Sequence, residues 1–385
     1  MTFIPRTIKN LKFLYNEVMS LNQQNVISGN NFSSYADVIF SERVSQSSFQ
    51  KISKVIEYKI IQEIDNEFSS EVWFVNKKFT LKKNTTIFCK TELLDLLFLL
   101  LNDIPKEYEL NLITHQSDIE INKKQFSKKP RCINQWFAVN VAYDNKNLHH
   151  IPLGISDSFR KRHLNGKYLD EMTNPSKLKK NELLYINYNQ NTNGKIRSNI
   201  LKKLRNQDFT ILGSYGLEIS DYIKDIKHNQ YILCPTGNGI DTYRLWETLI
   251  IGSSPVVNSI RNYSEFRNLP IYYFNNPNEL NIEYLKSKND TIQKLKNNNI
   301  SRNYLTTDYW MEHINKSKLI TSELKDIDII IDENLEKKYF RKFYMLESSK
   351  SNFKILKFYI YQYLNIFNYF RFIYRKLKPT EDKKY

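Results

Sequence analysis

Tyr231-Ile-Leu-Cys-Pro-Thr-Gly-Asn-Gly-Ile-Asp-Thr-Tyr-Arg-Leu-Trp-Glu-Thr-Leu-Ile-Ile-Gly-Ser-Ser-Pro-Val-Val257 sets a strand, a glycine turn, a helix and a second strand in one short run. Tyr231–Cys234 is short and apolar, as buried strands are. Gly237 and Gly239 flank Asn238 and, lacking Cβ atoms, let the backbone approach a ligand closely. Asp241 or Thr242 can cap the helix expected from Thr242 to Ile251, and Pro255–Val257 resumes an extended run. A strand that turns through glycines into a helix N-terminus presents amide hydrogens and the positive end of a dipole, which favours a diphosphate. Arg244 and Glu247 stand three residues apart and share a helix face. The guanidinium can fork onto phosphate oxygens, and the carboxylate can accept hydrogen bonds from two ribose hydroxyls. Taken alone, the two residues read rather as a solvated surface pair beside an ordinary turn; the Gly-Asn-Gly loop before them and Gly252 to Val257 after them reverse that preference.

The alternation continues on both sides. Strands are expected at Leu183–Tyr188, Phe209–Leu212 and Ile271–Phe274, with helices at Lys195–Arg205, Ser220–Lys227 and Glu279–Lys286. Such alternation predicts a parallel sheet covered on both faces, with ligands at the carboxyl ends of its strands. Arg197, with Asn187 and Asn193 nearby, follows the first of these strands and is expected to reach the same cleft, where it would neutralise a leaving diphosphate. A solvated helix start is the alternative. Upstream, Val72–Val75, Thr86–Cys89, Leu110–Thr114, Trp136–Val141 and Leu148–Ile151 read as strands around an apolar helix, Leu93–Leu101. Lys90, just after one of these strands, is a second candidate for the diphosphate. Residues 1–70 show only patches of helical spacing (Ile8, Leu11, Phe13, Leu14, Val18). The polar stretch Asp157–Asn181 reads as a connection. The expected organisation is an α/β domain over 1–160, a nucleotide-binding α/β domain over 181–330, and a tail over 331–385.

A chain of 385 residues exceeds one ordinary core. Its net charge of +16 implies an anionic partner. Between Lys337 and Lys378, eleven Lys and Arg stand against Glu347 alone, so most of the charge belongs to the tail. From Phe353 to Leu377 aromatic and aliphatic residues interleave with Lys and Arg. That pattern suits a helix lying on an anionic membrane surface; packing back onto the first domain is the equal alternative, and nucleic acid is not expected as the partner. Cys89, Cys132 and Cys234 lie far apart, which supports neither a disulfide framework nor a zinc site. The N-terminus lacks a continuous apolar segment, and no run reaches spanning length, so a cytoplasmic protein is expected, at most peripheral on the membrane.

The Tyr231–Val257 segment resembles the C-terminal signature of exostosin-like glycosyltransferases: an apolar strand, a Pro-x-Gly turn, Arg, Glu three residues on, then Gly-x-x-Pro-Val. Ile113-Thr-His-Gln-Ser-Asp118, Trp136-Phe-Ala-Val-Asn140 and Ile151-Pro-Leu-Gly154 resemble further segments of such proteins. The likeness spans about Thr86–Leu285. It implies a GT-B fold, two Rossmann-like domains facing a cleft, with donor on the C-terminal side and acceptor on the other. It also implies diphosphate and ribose roles for Arg244 and Glu247, beside Gly237, Asn238, Gly239 and Asp241. The implied activity is transfer of a sugar from a nucleotide-sugar to a glycan or lipid-linked glycan, with inversion.

Transfer needs a base for the acceptor hydroxyl and a stabiliser for the leaving diphosphate. Asp118 and His115, just after strand Leu110–Thr114, are the candidates for the base; a capping or packing role is the alternative for each. No cofactor is expected and no metal. Asp326-Ile-Asp328 alone has metal-motif spacing, and its charged surroundings make it read as incidental. Two other functions remain open: a fucosyltransferase-like enzyme using a GDP-sugar, a family that prefers Lys where this chain has Arg244, and a non-catalytic carbohydrate- or nucleic-acid-binding protein.

Overall fold

The computed structural model describes residues 21–345, except 68, 158, 161–163, 165–166, 175–179, 215, 259–263, 298–301, 317 and 319–323. Both the Ile8–Val18 periodicity and the Phe353–Leu377 stretch lie outside the described residues. The described chain up to Ile330 forms one compact unit. In the second unit, residues 333–345 are helical.

The first half begins with helix α1 (Gly29–Ser34), β1 (Val38–Ser45), α2 (Gln46–Ile52), β2 (Tyr58–Asp65), β3 (Ser70–Asn76) and β4 (Lys78–Leu81). It continues through β5 (Thr86–Lys90), α3 (Leu94–Leu101), β6 (Leu110–His115), α4 (Lys123–Phe126), β7 (Ile133–Ala138) and β8 (Leu148–His150). Seven of these strands make a mixed sheet in the order β2-β3-β1-β5-β6-β7-β8. From β1 to β8 the neighbours are parallel, while β3 and β2 add antiparallel at one edge. Strands β5 and β6 are buried at every residue, as parallel strands covered on both faces should be. Neither β1 nor β2 was expected from the residue pattern: β2 is a mostly exposed edge strand with scattered charges, so it lacks an apolar stripe.

Helix α5 (Lys167–Thr173) occupies part of the expected connection. The second half then follows the expected alternation closely: β9 (Asn181–Ile186), α6 (Gly194–Leu204), β10 (Thr210–Leu212), α7 (Ile219–His228), β11 (Asn229–Leu233), α8 (Tyr243–Ile250), β12 (Ser254–Asn258), β13 (Tyr272–Phe274), α9 (Ile282–Ser287) and α10 (Asn289–Lys296). The five strands are all parallel, in the order β10-β9-β11-β12-β13. The chain moves outward from β9 to β10, then returns across β9 to β11. The loops after β9 and β11 therefore leave in opposite directions and open a crevice at the carboxyl edge.

After α10 the chain runs back to the first half. Val26 pairs with Thr306, and helix α11 (Thr307–Lys316) lies against α1. Strand β14 (Ile327–Ile330) then pairs antiparallel with β4. There Asp328 accepts a hydrogen bond from Thr80 at 2.7 Å and Asp326 faces Lys82 at 3.6 Å. Both carboxylates of the Asp-x-Asp spacing are thus engaged in strand pairing.

One buried apolar cluster runs through both sheets, from Phe88, Ile113 and Phe137 to Ile232, Trp246 and Val257. No helix among the described residues is long and apolar enough to cross a membrane.

Candidate functional site

The crevice at the carboxyl edge of the second sheet holds a pocket of ≈ 470 Å³. Asn187, Tyr188 and Arg197 line it from the β9 side, Tyr222 from α7, and Thr242, Tyr243, Arg244 and Glu247 from α8. That volume suits a ligand of nucleotide size better than a single ion.

Arg244 and Glu247 project from successive turns of α8. No ion pair joins them among the described residues. Glu247 instead accepts a hydrogen bond from the Tyr222 hydroxyl at 2.6 Å. The Arg244 guanidinium lies 5.0 Å from the Tyr222 ring centre, and its Nη1 is buried with no hydrogen-bond partner. Burial opposes the charge of Arg244, but Tyr222, Cys234, Glu247 and Tyr185 outweigh it and hold the pKa up. Burial raises the pKa of Glu247 against the Tyr222 bond and Arg244. The guanidinium thus keeps one buried N–H without a partner on a residue that lines the pocket, a costly arrangement for a protein to leave unmet. Of the amides at the start of α8, Thr242 N donates to Asp241 at 2.7 Å and Leu245 N to Thr242 O at 3.1 Å, which leaves those of Tyr243 and Arg244 as the helix's orphan donors. Tyr222 escaped sequence reading because nothing in its own helix marks it; only folding brings it beneath Arg244.

The glycine turn behaves differently from expectation. Gly237 and Gly239 are buried, and only Asn238 is exposed. The Gly237 amide donates to Gly239 O at 3.1 Å, and Thr236 N to the Asn258 side chain at 2.8 Å. A Cβ on Gly239 would stand 2.8 Å from the Asn140 side-chain oxygen, so glycine is needed for packing against the first half. Two of the turn's donors, those of Thr236 and Gly237, are therefore taken within the protein. Asp241 is likewise committed. Its carboxylate accepts from Leu153 N and Trp246 Nε1, each at 2.8 Å, and from Thr242 N at 2.7 Å. Burial pushes its pKa up to about 6. Asn140 completes the junction, accepting from Asp241 N at 2.9 Å and donating to Ser117 O at 2.7 Å. Thr242 occupies the helix cap position without a side-chain bond.

Arg197 lines the pocket, yet its guanidinium donates to Thr236 O, Asn189 O, Thr192 Oγ1 and Pro235 O. Its bonds hold the glycine turn against the start of α6. Lys90 is buried at the end of β5, paired with Glu92 and 4.5 Å from the Trp73 ring centre. It is not among the pocket residues.

The acceptor-side candidates separate. His115 Nδ1 accepts from the Gln116 amide at 2.8 Å, which leaves the Nε2 proton to donate to Pro152 O at 3.1 Å. The ring sits between Phe32 and Phe88, and burial lowers its pKa to about 4. Both nitrogens are occupied. Asp118 is exposed and close enough to Tyr243 for its charge to act on that phenol. Beside His115, Asp157 accepts from Asn30 N at 2.8 Å and from Gln116 Nε2 at 3.1 Å. Glu42 accepts from Asn30 Nδ2 at 2.6 Å and from Ser33. Burial raises Asp157 to about 6 and Glu42 to about 8. The Arg160 guanidinium, 5.5 Å from the Tyr243 ring centre, carries this edge of the first sheet to the pocket rim.

No protein-family model matches the chain, and no match is found among curated proteins.

Proposed function

We propose that the protein is a glycosyltransferase of GT-B type that moves a sugar from a nucleotide-sugar to a glycan or lipid-linked glycan. The observation that carries this reading is the unpartnered, buried Nη1 of Arg244 on a nucleotide-sized pocket at the switch point of a parallel sheet. In this reading the diphosphate lies between Arg244 and the first turn of α8, and the ribose hydroxyls donate to Glu247, oriented by Tyr222. Asp118, exposed on the acceptor side, takes the proton of the attacking hydroxyl. The new glycosidic bond forms as the bond from anomeric carbon to diphosphate oxygen breaks, with inversion. Arg244 and the helix dipole stabilise the charge left on the diphosphate. Arg197 supports the turn in place of contacting phosphate.

A panel of UDP- and GDP-sugars scored by thermal shift, followed by transfer assays, tests this. Bound nucleotide raises Tm, and Arg244→Ala and Glu247→Ala are expected to abolish the rise. If both variants bind nucleotide as well as the wild type, the reading fails. Binding without transfer to any acceptor would leave a nucleotide-binding protein that is not an enzyme.

A further inference from the structure

At the opposite, amino edge of the second sheet, two lysines share one carbonyl, and a third lies near enough for its charge to act on one of them. Lys180 immediately precedes β9, Lys227 lies in the last turn of α7, and Lys296 ends α10. Lys180 Nζ donates to Gly252 O at 3.0 Å and to Ser253 Oγ at 2.7 Å. Lys296 Nζ donates to the same Gly252 oxygen at 3.1 Å. The two ammoniums are therefore no farther apart than those two bonds laid end to end. Lys227 Nζ donates to Glu171 O and to Asn174 O at 2.7 Å, and its charge acts on Lys180.

Lysine near a helix C-terminus ordinarily caps its last carbonyls, and Gly252 follows α8 in the left-handed conformation such caps use. One ammonium would satisfy the Gly252 oxygen. The second adds charge but no new partner. Among the described residues no carboxylate pairs with any of the three. Each ammonium has three donors, and each of these keeps at least one unused. Burial, reinforced at Lys180 by its two neighbours, pulls Lys180 and Lys296 down to about 8, which records how poorly the charges are compensated. A tetrahedral dianion offers the oxygens and the charge to engage three such donors at once; a planar monoanionic carboxylate does not.

We propose that Lys180, Lys227 and Lys296 form a phosphate-binding site, separate from the pocket at the carboxyl edge. This does not rest on the glycosyltransferase reading, since none of the three lines that pocket. Titration of the full chain with inorganic phosphate, against chloride at equal ionic strength, is expected to raise Tm. Lys180→Gln and Lys296→Gln are each expected to weaken the apparent phosphate affinity about tenfold, while Arg244→Ala leaves the Tm rise in place. Loss of repulsion should keep the Tm of both lysine variants in chloride at or above that of the wild type, which marks them as folded. Co-sedimentation with phosphatidic-acid vesicles separates the two sources of phosphate. Binding that free phosphate competes away and both variants lose assigns a lipid headgroup; no such binding assigns a soluble phosphate. An absent phosphate effect, an effect unchanged in both lysine variants, or one lost in Arg244→Ala would overturn the proposal.

Discussion

The two sheets present the same structural opportunity, the carboxyl edge of parallel strands, and treat it in opposite ways. At the edge of the second sheet, Arg244 keeps a buried N–H unused beside an open pocket. At the edge of the first, Glu42, Lys90, His115 and Asp157 are nearly inaccessible, and their polar atoms bond to neighbouring groups: Asn30 and Ser33, Glu92, Gln116 and Pro152 O, and Asn30 and Gln116 respectively. Residue type alone does not separate these cases. Unused hydrogen-bonding capacity facing a cavity does, because a satisfied buried group has little left to offer a ligand.

The sharpest way to break the contrast is at the junction between the two edges. Asp241→Ala strands the Leu153 amide, the Trp246 indole N–H and the Thr242 amide, and should cost about 4 kcal/mol in urea denaturation. A loss below about 1 kcal/mol would show that Asp241 does not join the halves. Next in size, Lys90→Ala removes the partner of Glu92 and the contact with Trp73, for about 2 kcal/mol. Nucleotide affinity should stay unchanged; a matching drop in affinity would return Lys90 to the donor site. Arg244→Ala should shift the balance the other way, costing only about 1 kcal/mol in urea for the lost contact with Tyr222 while weakening nucleotide diphosphate binding at least about tenfold in calorimetric titration.

The most gradual effect is a pH dependence. The folded pKa of Glu42, about 8, lies above its ordinary 4.5, so the folded state keeps a proton that the unfolded chain has released. The stability this group contributes is complete below pH 4.5 and lost as pH rises through 8. His115 works in the opposite sense at lower pH, since its folded value near 4 lies under its ordinary 6.5. Between pH 6.5 and 8 the Glu42 effect dominates the two, and stability should fall by at most about 1.4 kcal/mol per pH unit. Glu42→Gln should flatten that slope; an equally steep slope in the variant would assign it elsewhere.

The second sheet was legible in the residues because each strand is a short apolar run bounded by a helix with its own stripe, and both periods survive in the chain. The antiparallel additions β2 and β4 were not. They are edge strands, partly exposed, whose identity comes from the neighbour they pair with. Arg244 and Glu247 were legible for a similar reason, being one turn apart on one helix. Tyr222 and the Asn140–Asp241 bond were not, because sequence spacing carries no trace of contacts between α7 and α8 or between the two sheets. The glycines illustrate the limit most clearly. Their lack of Cβ was read as room for a ligand, whereas Gly239 makes room for Asn140.

That junction bears on how the molecule comes apart. With Asp241 tied to Leu153, Asn140 tied to both Ser117 and Asp241, and one apolar cluster shared by the two sheets, neither half can melt without exposing the other's core. Calorimetry should therefore record a single cooperative transition for residues up to Ile330. The amides of Leu153 and Asp241 should exchange with solvent only through global unfolding, as slowly as those of the central strands.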